Sequence, residues 1–192
     1  MLFTTSAYAG GLGVISTAGV HQENVFAYDT ELTQYKIGQQ RPMYGIGFQA
    51  ILGDVDDDFV GVAKIYYLGD TPPQRAGVQE AAKSQGWNPS EDGDLEFAAR
   101  TGIRPMGVAT AGLQWGVWGE PTGLSVNLVG NLGASFMTSD ATEFLLAEVG
   151  GGAHYALSDT LQVNAEAVYR MRFRKDFFHG GGFNLGVRYF FD

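Results

Sequence analysis

The sequence predicts an all-β fold, an eight-stranded antiparallel up-and-down transmembrane β-barrel. Apolar residues alternate with polar or small ones along eight segments, which is the period of a β-strand that has two different faces. The connections between these segments alternate between long and short, as in a barrel whose two ends differ. No apolar run approaches the roughly 20 residues that a membrane-spanning helix needs, so any membrane crossing has to use strands.

The alternation is clearest in the last two predicted strands. In the final strand, Gly182 to Phe191, aromatic and aliphatic residues take every second position. In the preceding strand, residues 161 to 174, every charged residue falls on one face. Six further segments follow the same rule with more noise, and they begin near Leu12, Tyr44, Phe59, Leu113, Leu124 and Leu145.

The barrel's narrow interior decides which face points inward. Eight strands enclose a space that side chains alone can fill, so the bulky apolar face is expected to point outward and the polar face inward. A soluble lipocalin-like barrel has the opposite arrangement. Aromatic residues on the apolar face also gather near both strand ends, which is typical of two membrane interfaces. These are Tyr44, Tyr67, Phe136, Phe173 and Phe183 towards one end and Phe59, Trp115 and Tyr155 towards the other.

The lengths of the connections predict an orientation. Long loops are expected at residues 22–41 and 69–103, with loops on the same side at 138–142 and 175–181. Short turns are expected at 53–58, 120–123 and 158–160, and these turns and both termini are assigned to the periplasm.

The long 69–103 loop contains two local signals of its own. The segment from Val78 to Trp87 could form one or two helical turns. Alternation through Leu95, Phe97 and Ala99 favours a hairpin that projects above the membrane. A short helix at residues 96–100 is the competing interpretation.

One barrel domain is expected over residues 10–192. Residues 1–9 are interpreted as the remaining tail of a signal peptide or as a disordered N-terminus. Ala7, Tyr8 and Ala9 have the small-x-small form of a cleavage site, although the basic and apolar parts of a signal are missing.

Composition excludes several classes of function. The chain has no cysteine, so it can form neither a disulfide nor a thiolate zinc site. Its net charge of -9 and lack of a basic face argue against nucleic acid as a partner. No cofactor and no metal site is expected. The acidic run at Asp54, Asp56, Asp57 and Asp58 lacks the spacing of a calcium loop and is interpreted as a solvated turn.

Charged residues on the inward face are the main candidates for a site. They are Lys64, Glu148, His154, Glu166, Arg170, Arg172 and Arg188. If Leu157 faces Leu161, then Glu148 lies opposite Arg170 on the neighbouring strand, with Arg172 one diagonal step away. We therefore expect a Glu148–Arg170 pair within a larger polar network. It could fill a packed lumen, or it could act as the gate of a narrow ion path.

His154, Ser158 and Glu166 are residue types that could form a hydrolytic triad. An enzyme that works on lipid must present its catalytic groups outward, whereas His154 shares the inward face with Glu148. No catalytic residue is therefore predicted.

The end of the chain carries a more specific pattern: a polar residue, glycine, a hydrophobic residue and an aromatic residue at fixed spacing. Asn184, Gly186, Tyr189 and Phe191 occupy these positions. With this pattern, residues 10–192 resemble the small outer-membrane barrels of the OmpA and OmpX type. The resemblance implies insertion by the outer-membrane barrel assembly machinery of a Gram-negative-type bacterium. It also implies contact with outer-membrane lipids and lipopolysaccharide.

Three functions remain open from the sequence. The first is a structural or interaction role, adhesion or binding of a surface protein partner, through loops 22–41 and 69–103. The second is a narrow pore for ions or small solutes, gated by lumen salt bridges. The third is modification of lipid A, because the outer-membrane lipid A deacylases have a similar architecture.

Overall fold

The computed structural model describes residues 10–70, 75–97, 106–137, 143–173 and 177–191. No helix in these ranges is both long and apolar enough to cross a membrane. The expectations for residues 1–9 lie outside the described residues. The elements are β1 (Gly10–Tyr28), β2 (Gln34–Leu52), β3 (Phe59–Asp70), α1 (Arg75–Ser84), β4 (Glu96–Phe97), β5 (Met106–Gly119), β6 (Leu124–Met137), β7 (Glu143–Ala156), β8 (Leu161–Phe173) and β9 (Phe177–Phe191).

Eight of the strands close into a barrel. They pair antiparallel in the order β2, β3, β5, β6, β7, β8, β9 and β1, and β1 pairs again with β2. Closure is made by the β1–β9 ladder, which runs from Gly10 opposite Phe191 to Gln22 opposite His179. The predicted eight-stranded antiparallel up-and-down barrel is confirmed. Closure removes the open edges that would leave backbone groups unpaired.

The two ends of the barrel differ, and we call them the turn end and the loop end. The turn end holds the connections 53–58, 120–123 and 157–160, close to the predicted short turns. Gly53, at a φ of 135°, begins the first of them, and Asp57 Oδ2 accepts a hydrogen bond from Asp54 N at 2.7 Å. All three aspartates at 56–58 are exposed. The predicted 138–142 connection lies outside the described residues.

The loop predicted at 22–41 is wrong. β1 continues to Tyr28 and β2 begins at Gln34, so only residues 29–33 connect them. β9 follows β1 only as far as Gln22, and β3 follows β2 only as far as Met43. We call the paired segments beyond those points, residues 23–28 and 34–42, the extension. Six residues of strand reach about 20 Å beyond the paired barrel wall.

The extension escaped prediction because its outward face is polar. Inside the barrel wall the contrast between apolar and polar faces marks each strand. In the extension, Lys36 and Gln34 point outward while Tyr35 and Ile37 are buried on the inner face. In the extension the polar residues therefore point outward and the apolar residues inward, which is the reverse of the barrel wall. The alternation that identifies a wall strand is missing, so the sequence predicts a loop there.

The helix α1 covers the inner face of the extension. Val78 and Ala82, one turn apart, are fully buried against Ala27, Tyr35 and Ile37 of the extension. Trp87 and Leu95 complete this cluster. The helix ends at Ser84, and Gly86, two residues later, has a φ of 102° that suits a residue without a side chain. The predicted one or two turns are thus a ten-residue helix in a separate small core.

Two other expectations at the loop end are corrected. The projecting hairpin is formed by β1 and β2 rather than by the alternating residues near Leu95, because β4 pairs Phe97 and Glu96 with Ala27 and Tyr28 of β1. Glu96 and Phe97 are therefore part of a strand paired with β1, and at these two residues the chain forms neither the predicted hairpin nor the competing helix. The predicted loop at 175–181 is also too long, since β9 already begins at Phe177 and continues along β1 and β8.

Candidate functional site in the lumen

All seven charged or ionisable residues predicted to face inward lie inside the barrel. None is more than 4% exposed. Side chains of this kind are costly to bury without partners, so the partners define the site. The seven are Lys64, Glu148, His154, Glu166, Arg170, Arg172 and Arg188.

Glu166 accepts more of the site's hydrogen bonds than Glu148. Its Oε2 accepts from Lys64 Nζ at 2.6 Å and from Asn184 Nδ2 at 3.1 Å. Its Oε1 accepts from Gln114 Nε2 at 2.6 Å and from Arg188 Nη2 at 3.2 Å. Lys64 is on β3 and Glu166 on β8, which are not neighbouring strands. Their ion pair therefore crosses the lumen and joins opposite walls.

Glu166 and its partners form one polar layer, the Glu166 layer, which Arg188 extends towards the turn end. Its Nε donates to Gln49 Oε1 at 3.2 Å, and its Nη1 donates to Gln114 Oε1 at 2.8 Å and Gln162 Oε1 at 3.3 Å. Nη1 also lies 3.3 Å from His154 Nδ1. Because a guanidinium group only donates, Nδ1 of this histidine is the acceptor. Side chains from four strands thus accept hydrogen bonds from one guanidinium group.

Glu148 forms a second layer nearer the loop end. Arg170 Nε donates to Glu148 Oε1 at 2.6 Å, as the strand register predicts, and Tyr66 Oη donates to the same oxygen at 2.5 Å. Asn131 Nδ2 donates to Oε2 at 3.1 Å. The guanidinium of Arg170 lies 5.4 Å from the centre of the Tyr66 ring. The diagonal neighbour, Arg172, instead places Nη2 3.2 Å from His21 Nδ1.

Asn184 joins the two layers. Its Oδ1 accepts from Arg170 Nη2 at 2.8 Å, while its Nδ2 donates to Glu166. The strand register predicts a network centred on the Glu148–Arg170 pair. In the structure, two cations pair with Glu166 and one pairs with Glu148. The reason is position: Glu166 faces both Lys64 across the lumen and Arg188 on the next strand.

Apolar clusters lie on both sides of the polar layers. Along β3 the inward residues run Val60, Val62, Lys64, Tyr66 and Leu68, so the cation lies between apolar positions. Towards the loop end, Leu68 packs in a buried cluster with Met43, Tyr66, Val108 and Leu146. Towards the turn end, the buried cluster is Ile51, Val55, Val60, Val62 and Phe190.

One polar cleft enters from the turn end. It has a volume of about 190 Å³ and is bordered by the acidic turn at Asp54, Asp57 and Asp58. Its inner wall includes His154 and Arg188. The cleft thus reaches the edge of the Glu166 layer.

Several residues of the site were not singled out from the sequence, although the alternation had placed most of them on the inward face. They are polar, uncharged side chains that bond either to the two carboxylates or to the guanidinium groups of Arg170 and Arg188. Asn131 and Gln162 lie directly opposite their partners on the adjacent strand, whereas Tyr66 and Gln114 reach theirs from strands further round the barrel, so no local pattern pairs them. The set is Thr17, Gln49, Tyr66, Gln114, Asn131, Gln162 and Asn164.

The triad residues are not assembled for catalysis. His154 and Glu166 are buried and bonded to Arg188 and Lys64, while Ser158 lies in an exposed turn, where its hydroxyl accepts from Leu161 N at 3.1 Å. Within the described ranges, no group of three or more His, Cys, Asp or Glu side chains could hold a metal ion.

The predicted aromatic positions all face outward. Their exposed fractions run from 39% at Phe173 to 58% at Tyr44 and Phe59. In the terminal pattern, Tyr189 and Phe191 also face outward, with ring centroids 5.5 Å apart. Gly186 faces inward, where a Cβ would lie 2.6 Å from both Gln49 Nε2 and Asn164 Oδ1. Recognition of this pattern by the assembly machinery stays a prediction.

Comparison with known proteins gives structural neighbours only. No family model matches the chain, and no curated protein matches it. Neisserial surface protein A aligns with 93% of this chain and 96% of its own, at 10% identity and a TM-score of 0.46. Ail, the attachment invasion locus protein of Yersinia pestis, aligns with 94% of this chain and 99% of its own, at 14% identity and a TM-score of 0.43. OmpT, an outer membrane protein of Vibrio cholerae, aligns with 94% of this chain and 52% of its own, at 11% identity and a TM-score of 0.29. Likeness at this level identifies neither a family nor a function for the chain.

Proposed function

We propose that this chain is an outer-membrane barrel whose role is structural and interactive, presenting the extension and α1 to a surface partner above a closed lumen. The extension carries the proposal. It is a two-stranded projection with its own buried core, and the barrel's closure does not need it. Ordering such a unit costs conformational entropy, which a contact at the cell surface would explain.

A membrane location is supported by the outer surface of the barrel. Large apolar side chains such as Ile46, Phe48, Ile65 and Leu132 point outward and are at least 62% exposed. A soluble protein rarely exposes an apolar band that surrounds it. In a bilayer these side chains would meet lipid, and the aromatic residues at both ends would lie at the two interfaces.

A closed lumen is supported by the stacking of polar and apolar layers. Glu166 and Glu148 are each paired with a buried cation of their own layer, and apolar clusters lie on both sides of the two layers. An ion would have to break buried pairs and pass apolar side chains to cross. We therefore favour a packed lumen over a pore.

Orientation and placement are tested by labelling single cysteines on intact cells, since the chain has none of its own. We expect Glu91→Cys, near the extension, to react with a membrane-impermeant maleimide. The matched change Asp159→Cys, in an exposed turn at the turn end, should react only after the outer membrane is permeabilised. Reaction of Asp159→Cys on intact cells, with Glu91→Cys silent, would contradict the proposed orientation.

A narrow pore is the second candidate, and the cleft at the turn end is the observation that favours it. That cleft already brings solvent-accessible space to Arg188 and His154. Single-channel recording of the purified barrel in planar bilayers separates the candidates. We expect no current above background from the wild type; steady unitary currents that rise in Glu148→Ala would replace our proposal with a gated pore.

A further inference from the structure

We propose that Lys64 and Asn184 react inside the folded barrel to form an isopeptide bond, with Glu166 as the acid–base group. The new bond joins Nζ of the lysine to Cγ of the asparagine, and the amide nitrogen of the asparagine leaves as ammonium. The bond would link β3 to β9, which are not neighbouring strands, across the lumen. A chain without cysteine cannot make such a covalent link with a disulfide.

One carboxylate oxygen holds both the nucleophile and the leaving group. Glu166 Oε2 accepts from Lys64 Nζ at 2.6 Å and from Asn184 Nδ2 at 3.1 Å. The nitrogen that would form the new bond and the nitrogen that would leave therefore share one acceptor. The lysine side chain is long and rotatable, so a rotation about its bonds carries Nζ from this oxygen to the neighbouring Cγ.

A guanidinium group activates the amide carbonyl of Asn184. Arg170 Nη2 donates to Asn184 Oδ1 at 2.8 Å. The orientation of the amide follows from its two neighbours, because its oxygen faces a group that only donates and its nitrogen faces a carboxylate, which accepts. As Nζ adds to Cγ, negative charge develops on Oδ1, and the adjacent guanidinium group of Arg170 stabilises that charge.

The reacting groups are shielded from water. Asn184 is 1% exposed, and the side chains of Lys64 and Glu166 are fully buried. Two charges are poorly solvated in such surroundings, so transfer of a proton from the lysine to the carboxylate costs less than it does in water. The transfer leaves Lys64 as a neutral amine, which is the nucleophilic form.

The charges of the two polar layers give a second reason for the reaction. In the ion pairs of these layers three cations, Lys64, Arg170 and Arg188, are paired with two carboxylates, Glu148 and Glu166. An excess charge is costly in a buried site. Conversion of the lysine ammonium to an amide removes this excess, because two guanidinium groups then remain with two carboxylates.

The protons and electrons of the reaction balance without any further reagent. Glu166 takes a proton from the Lys64 ammonium, and the Nζ lone pair forms the bond to Cγ. The resulting tetrahedral intermediate breaks its Cγ–Nδ2 bond, and the electron pair of that bond leaves with the nitrogen. Glu166 passes both protons lost by Nζ to this nitrogen in turn. Ammonium departs, and Glu166 is ionised again at the end.

The test compares the intact mass of the full chain before and after folding. The chain is held unfolded in urea and then refolded into lipid vesicles. We expect its mass to fall by that of one ammonia molecule, and only after refolding. A tryptic digest of the folded chain should contain a branched peptide that joins residues 37–75, uncut at Lys64, to residues 176–188. Trypsin does not cut between Arg41 and Pro42, so the first of these peptides stays whole.

Two variants identify the reacting groups. Lys64→Arg keeps the positive charge but has no amine to acylate, so the folded variant should retain the full calculated mass. Asn164→Ala is the matched control. Asn164 Nδ2 donates to the other oxygen of Glu166 at 3.5 Å, and this amide takes no part in the reaction, so the variant should lose ammonia as the wild type does.

Three results would overturn the inference: a folded wild type that retains its full mass, loss of ammonia from Lys64→Arg, or a digest in which residues 37–75 and 176–188 are not joined. If Lys64→Arg does not fold, the wild-type digest decides the question by itself. None of these results touches the proposed function. That proposal fails separately, through steady channel currents or through labelling of the turn end on intact cells.

Discussion

Glu166 is the acceptor on which the contacts of the lumen converge. It is fully buried and receives Lys64 from across the barrel and Arg188 from the adjacent strand. The alternation along β8 alone predicts that the side chain of Glu166 points inward. Its partners on β3 and β5 reach it only because the sheet closes into a barrel. Its carboxylate accepts hydrogen bonds from groups on three other strands, β3, β5 and β9.

Replacing Glu166 should therefore destabilise the barrel strongly. We expect Glu166→Gln to lower the free energy of unfolding by about 3–5 kcal/mol, because two buried cations lose their counter-charge. Urea unfolding in lipid vesicles measures the change. Glu120→Gln, in an exposed turn, is the matched control and should stay within about 0.5 kcal/mol of wild type. A small loss in Glu166→Gln would mean that water enters the network.

Two adjacent glycines on β9 should respond differently to the same substitution. A Cβ at Gly182 would lie 2.9 Å from Arg170 Nη1, while a Cβ at Gly181 would meet nothing within 4 Å. Gly182→Ala should displace the Arg170 guanidinium and cost about 1–3 kcal/mol, a typical overpacking loss. Gly181→Ala points outward and should be close to neutral. Equal unfolding midpoints for the two variants would contradict the inward position of Gly182.

The extension behaves as a separate element, because its core shares no residue with the lumen clusters. Trp87 fills that core, and its Nε1 donates to Gly93 O at 3.1 Å. Trp87→Ala should unfold the extension locally at a cost of about 3–5 kcal/mol. Faster amide exchange in residues 23–42, with unchanged exchange in β6 to β8, is the expected readout.

The matched control for Trp87 is Trp118→Ala. Trp118 is 67% exposed on the barrel wall at the turn end, far along the chain from the extension. Its loss should leave exchange in the extension unchanged. If both variants loosen the whole barrel, the extension is not an independent unit.

Asp29 is expected to make the connection at residues 29–33 sensitive to acid. Desolvation raises the pKa of Asp29, but hydrogen bonds from Thr33, Tyr35 and Glu31 outweigh it and leave the pKa below its ordinary value. A lowered pKa in the folded state gives stability that is present above the unfolded value of about 3.9 and is lost as pH falls through the folded pKa.

We therefore expect residues 29–33 to exchange their amides faster below about pH 4, after correction for intrinsic rates. Asp29→Asn should weaken the turn at neutral pH and remove most of this pH dependence. The exposed neighbour change Glu31→Gln is the control and should retain it. An unchanged pH profile in Asp29→Asn would assign the effect to another carboxylate.

The whole molecule combines an apolar outer wall, a charged interior and a polar projection. This inside-out arrangement places the three tryptophans in different surroundings: Trp87 in the core of the extension, and Trp115 and Trp118 on the outer wall. Variants with a single remaining tryptophan can report each location. In vesicles of brominated lipid, we expect fluorescence of Trp115 to be quenched and that of Trp87 to be retained. Quenching of Trp87 alone would reverse the proposed placement of the membrane.

The number of barrel strands, the inward direction of the seven candidate lumen residues, the outward direction of the aromatic residues and the Glu148–Arg170 pairing were readable in the sequence. They follow from a period of two and from the register of two strands joined by a short turn, both of which are local. The same local rule misassigned residues 22–41. Beyond the bilayer the outward-facing residues of a strand are not apolar, so they do not mark it as a strand. The inner face of the extension is buried by a helix some 40 residues further along the chain.

The cross-lumen contacts arise only from the folded barrel. Lys64 and Glu166 are separated by 102 positions, and their pairing depends on how far each strand is staggered when the sheet closes. Stagger is a property of all eight strands together, so no single segment encodes it. The alternation along each strand therefore determines which side chains enter the lumen. Closure of the barrel determines that Lys64 and Arg188 both pair with Glu166.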